Sequence, residues 1–144
     1  MPTPAASLDL PASATAPLDV CAAAATYVGR PEHVRQVRAD ARDLLAGCPA
    51  ADEVILCLSE LAANAARHSN SRRPGGTFTV RIGSRPGAYI RLEVEDDGGP
   101  WLAAAPDPVS GRGLDIIGAL AAEWGVATSP AGRTVWAHFD WPSP

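Results

Sequence analysis

The chain has 144 residues, 47% of them hydrophobic and 19% charged, with a formal net charge of −4 and a pI near 5.2. That length supports one hydrophobic core rather than two, and the acidic balance leaves no basic footprint for a nucleic-acid partner. No run approaches the ~20 apolar residues of a membrane span, and the first residues lack the Lys or Arg of a secretory signal. Cys21, Cys48 and Cys57 form no CxxC, which implies reduced thiols in a cytoplasmic protein. His33, His68 and His138 lack metal-ligand spacing.

Residues 1–19, rich in Pro, Ala, Ser and Thr, read as a flexible tail, and residues 20–144 as a single domain. A short strand is expected over 20–28, closed by Gly29. Pro31 suits a helix start, and Val34, Val37, Ala41, Leu44 and Leu45 recur at helical spacing until Gly47 and Pro49 end the run. A second helix is expected from Ala51-Asp52 to about Ser69. In it Val54, Ile55, Leu58, Leu61, Ala62 and Ala65 form an apolar stripe, with Glu53, Glu60, Asn64 and Arg67 on the opposite side. The core does not need Glu60 or Asn64, so they face either solvent or a ligand.

Phe78, Val80 and Ile82 alternate with Thr77, Thr79 and Arg81, and Ile90, Leu92 and Val94 alternate with Arg91, Glu93 and Glu95. Period-two alternation on either side of Arg85-Pro86-Gly87 predicts a hairpin with one buried face. An irregular loop from Gly99 to Ser110 follows, then a third helix opened by Gly111-Arg112-Gly113. A closing hairpin, 124–128 with 134–141, turns around Ser129-Pro130-Ala131-Gly132. The order strand, two helices, two strands, helix, two strands predicts an α+β two-layer sandwich: a mainly antiparallel sheet with helices on one face.

Glu60 and Asn64 are four apart and so share a helix face. A carboxylate beside a carboxamide supplies hard oxygens of the kind Mg²⁺ prefers, and the carboxylate can polarise a hydroxyl. At Asp96-Asp97-Gly98 a strand ends in a carboxylate followed by glycine. This is either an ordinary Asp-Gly turn or an acceptor for an exocyclic amine, with glycine admitting a flat ring. Gly111-Arg112-Gly113 at a helix N-terminus offers backbone N–H groups to an anion. No Lys-Ser/Thr follows it, so it is not a P-loop. The loop between these two features is of a length that often covers ligands, and Asp107 and Arg112 are the charged groups there able to meet phosphate or metal.

Together these segments resemble the nucleotide-binding domain of the GHKL (Bergerat-fold) ATPase/kinase superfamily, most closely the stand-alone anti-sigma factor serine/threonine kinases. The run from Glu60 to His68 resembles the N box, Val94 to Gly98 the G1 box, Gly111 to Leu114 the G2 box, and Gly132-Arg133-Thr134 the Gly-x-Thr segment of the last strands. The resemblance implies ATP and Mg²⁺ as cofactors. Asn64 would hold Mg²⁺ and Glu60 would be the catalytic carboxylate. Asp96 would bind the adenine amino group, with Gly98 against the ring and Thr134 supporting the adenine end. Gly111 and Gly113 would shape the lid and face the phosphates, and His68 would be structural. It also implies a sigma factor and an anti-sigma factor antagonist as protein partners, and a homodimer as a common assembly. One departure is Pro100, which stands where the G1 box usually ends in glycine and removes an N–H where the lid begins.

Overall fold

The computed structural model describes residues 21–99 and 112–141, without the side chains of residues 21, 22, 68 and 112–114. The expected tail over 1–19 and the loop beyond Gly99 lie outside the described residues, as do Pro100, Asp107 and Gly111. In chain order come β1 (Cys21–Val28), a 3-10 turn (Pro31–His33), α1 (Val34–Leu44), α2 (Ala51–His68) and a second 3-10 turn (Asn70–Arg72). Then follow β2 (Thr77–Arg85), β3 (Tyr89–Asp96), α3 (Arg112–Leu120), β4 (Glu123–Ser129) and β5 (Gly132–Asp140). The five strands form one sheet in the order β1-β2-β3-β5-β4, every neighbouring pair antiparallel, with the helices on one side. The expected sandwich is therefore the observed one.

Register explains which face is buried. Residues directly opposite on paired strands project to the same side. Val80, Val94 and Val135 form one such row, and Ile82, Leu92 and Ala137 the next. Both rows are buried against Val54, Leu58, Leu61, Ala62 and Ala65 of α2 in a single core cluster. Each fully buried aliphatic side chain there contributes on the order of 1.5–3 kcal/mol. The other sheet face is polar and self-paired: Arg81 Nη2 lies 2.6 Å from Glu95 Oε1, and the Arg91 guanidinium sits 4.7 Å over the Trp136 ring.

Pro31 opens a 3-10 turn, and the α-helix proper starts at Val34. Gly47, with φ +85°, takes the left-handed conformation just past its end. Helix α2 departs from the expected single stripe, because Cys57, Ser59, Asn64 and Ala66 are buried too. The reason is position: α1 packs on one flank of α2 and α3 on the other, over the sheet below. Among the described residues no helix is long and apolar enough to cross a membrane.

Candidate functional site

The α2 flank that faces α1 is not closed. Ser59, Glu60, Ala63, Asn64 and Arg67 form one wall of a cavity of about 290 Å³, and Glu32, Arg35 and Arg38 stand on the other. Asn64 is only 6% exposed, which corrects its expected place on the side of the helix opposite the core. Its Nδ2 is buried without a hydrogen-bond partner among the described residues. An unpaired buried amide donor costs on the order of 1–3 kcal/mol, and the cavity beside Asn64 has room for a group that pairs it. Glu60, one turn earlier, is half-buried. Its charge adds to burial in pushing the Cys57 thiol up to about 11. Arg35, Arg38 and Arg67 form no ion pair with another described residue. The cavity therefore presents a carboxylate and a carboxamide beneath a basic rim.

The second part of the site is the end of β3. Asp96 is 7% exposed, and its Oδ1 accepts the Gly98 N–H at 2.7 Å. Its Oδ2 lies 3.5 Å from Nη2 of Arg133, itself nearly fully buried, whose Nη1 donates to the Gly99 carbonyl at 3.3 Å. Burial pushes the Asp96 carboxyl above its usual range. The Gly98 N–H and the Arg133 charge oppose that rise, and the Asp97 charge adds to it. Gly98 takes φ +74°, open to glycine and strained for other residues. A Cβ on Gly132 would collide with the Asp96 carbonyl, so glycine there permits the close approach of β5.

This turn is fastened to the end of α2. The Asp97 N–H donates to Ser71 Oγ at 2.8 Å, and the Asn70 N–H to the Gly98 carbonyl at 2.8 Å. Ser69 Oγ donates back to the Ala65 carbonyl at 2.7 Å and accepts from the Ser71 N–H at 3.0 Å. The helix bearing Asn64 and the turn bearing Asp96 thus form one piece.

Thr134 is not beside Asp96. In the β3–β5 register Thr134 stands opposite Glu95, on the polar face, and Arg133 stands opposite Asp96. Alternation turns Thr134 away from the helix layer, one residue along β5 from the partner of Asp96. Sequence reasoning missed Arg133, although parity carried the signal: Val135, Ala137 and Phe139 are the buried set of β5, and Arg133 continues it. Gly113 lies in the first turn of α3, a helix anchored by fully buried Ile117. Gly111 and the His68 side chain lie outside the described residues.

A five-stranded antiparallel sheet backed by helices, with a Glu/Asn pair on the central helix and a buried carboxylate at a strand end, defines a domain of the histidine-kinase ATPase type. The family model for the histidine kinase-like ATPase domain matches residues 27–139, and the chain belongs to that family. Two solved structures share the fold. The RsbU and RsbW domains of Rv1364c from Mycobacterium tuberculosis align at a TM-score of 0.63 and 21% identity over 86% of this chain. The histidine kinase domain of a blue-light activated histidine kinase from Erythrobacter litoralis EL346 aligns at 0.53 and 21% over 77%. The chain spans 33% of the length of the first and 60% of the second. No curated protein matches the chain.

Proposed function

We propose that the chain is an ATP-binding anti-sigma factor serine/threonine kinase, which sequesters a sigma factor and phosphorylates an anti-sigma factor antagonist on serine. The observation that carries this reading is the cavity wall on which Glu60 and the buried, unsatisfied Asn64 stand one helical turn apart. The partner class comes from the motif resemblance, and the RsbW domain of the mycobacterial neighbour is in keeping with it.

Asp96 accepts a hydrogen bond from the adenine amino group, and Gly98 lets the ring lie against the backbone. Among the described residues no cluster of three or more His, Cys, Asp or Glu could hold a metal ion. A carboxamide oxygen from Asn64 fits Mg²⁺ that arrives with nucleotide phosphates and keeps most of its waters. When bound, the ion offsets charge on the transferring phosphoryl group. By the motif resemblance, the Gly111-Arg112-Gly113 segment would offer N–H groups to the phosphates. Glu60 accepts the proton of the incoming serine hydroxyl as its oxygen bonds to the γ-phosphorus, and the bond to the β-phosphate oxygen breaks to release ADP. The open side of the cavity, between α1 and α2, gives a serine-bearing loop access to Glu60.

A second reading, a nucleotide-responsive module that binds its partner without phosphotransfer, is favoured by Pro100. Incubation with γ-labelled ATP and candidate antagonists separates the two. The kinase labels a serine, and Glu60→Ala lowers that transfer by roughly 10²–10⁴-fold, the range of a general base, while nucleotide affinity holds. Tight ATP binding with no label supports the module, and equal transfer by the variant removes Glu60 from the mechanism.

A further inference from the structure

We infer that Arg133 is a positioning residue for base recognition: its guanidinium bridges the Asp96 carboxylate and the Gly99 carbonyl, and so aims the carboxylate at a purine amino group. This rests on the nucleotide reading above and adds a residue that the motif resemblance does not name.

The geometry is specific. Asp96 and Arg133 are register partners at the end of the β3–β5 ladder, both on the helix side of the sheet and both 7% exposed. One guanidinium nitrogen faces Asp96 Oδ2 at 3.5 Å while another donates to the Gly99 carbonyl at 3.3 Å. A planar fork can span two acceptors in this way, which the single ammonium of lysine cannot. The Gly98 N–H occupies Oδ1 from the other side. The carboxylate is therefore hydrogen-bonded at Oδ1 and in ion-pair contact with Arg133 at Oδ2, with lone pairs still open to a donor.

The electrostatics point the same way. The charged groups acting on Asp96 are Arg133 on β5, which favours the anion, and Asp97 next in the chain, which disfavours it. Burial disfavours the anion most strongly of all. Arg133 thus supplies the charge that keeps a buried carboxylate available as an acceptor. Without it, protonation of Asp96 sets in at higher pH, and an amine donor loses its anionic partner there.

The test is ATP·Mg²⁺ titration of the wild-type chain, Arg133→Gln and Arg133→Lys across pH ~5 to ~8, with folding checked by circular dichroism. R133Q is expected to bind roughly tenfold more weakly at neutral pH, the scale of one charge-assisted hydrogen bond. Its affinity should also begin to fall at a higher pH than that of the wild type. R133K keeps the charge and gives up the fork, so it should lose affinity severalfold with its pH profile unmoved. If R133Q does not fold, R133K decides alone: affinity equal to wild type overturns the inference. Superimposed profiles for R133Q and wild type overturn it as well. A wild-type chain that binds no ATP at any pH overturns the nucleotide reading itself, a different result from binding that ignores Arg133.

Discussion

A carboxylate kept at the end of a strand with 7% exposure loses most of its hydration, and Asp96 meets that loss with two partners placed by backbone geometry. Neither partner uses the whole acceptor capacity of the group. That remainder is what the proposed adenine contact would use, and Asp96→Asn tests it. The amide keeps the size but loses the charge, and one of its two positions becomes a donor. ATP affinity measured by calorimetry should fall by roughly 10–100-fold, the range for a hydrogen bond to a charged group, and unchanged affinity would remove Asp96 from base recognition. At this scale the sequence was readable wherever two residues signal through spacing: Glu60 and Asn64 stand out because four residues make one helical turn. Arg133 did not stand out, because a basic residue next to Thr134 reads as incidental until strand parity puts it on the buried face.

Among the elements, the join between α2 and β3 holds the two halves of the site together. Ser71 is fully buried, and its Oγ receives the Asp97 N–H from 26 residues away in the chain. Ser71→Ala removes that part-buried hydrogen bond, at a cost of about 0.5–1.5 kcal/mol. Urea unfolding should show the loss, and nucleotide affinity should fall with it, since the Asp96 turn is released from the helix carrying Asn64. A lowered midpoint with wild-type affinity would mean that the join serves stability alone. The Asn70–Arg72 turn carries no periodic signal of its own, because Ser and Asn side chains are turn formers anywhere. Only the spatial partner makes it a defined 3-10 turn. The long helices and both hairpins were legible because their periodicity extends over two turns or more of helix or six or more residues of strand.

At the scale of the whole molecule, the sheet order is the part that local pattern does not encode. The hairpins β2–β3 and β4–β5 are sequential, but the pairing of β3 with β5 passes over α3 and β4. That non-local pairing sets Asp96 against Arg133 and closes the core rows from Val80 across to Val135. A ligand reaching from the Asn64 cavity to Asp96 would touch α1, α2 and β3 at once, so its binding should stabilise the global fold rather than one loop. By mass action, a ligand at a hundred times its dissociation constant adds about 2.7 kcal/mol. For a chain of this size that corresponds to a rise in Tm on the order of 5–10 °C. ATP with Mg²⁺ should therefore shift the thermal transition of the wild type by that amount, and, on the proposal that Asn64 holds the ion, chelating the metal should remove part of the shift. On the proposed mechanism, in which Glu60 would act on the serine hydroxyl and not on the bound nucleotide, Glu60→Ala should keep the full shift, whereas Asp96→Asn should lose most of it. A transition that ATP·Mg²⁺ leaves in place for the wild type would rule out the nucleotide site, while a shift that Glu60→Ala abolishes would move Glu60 from the transfer step to the binding of ATP.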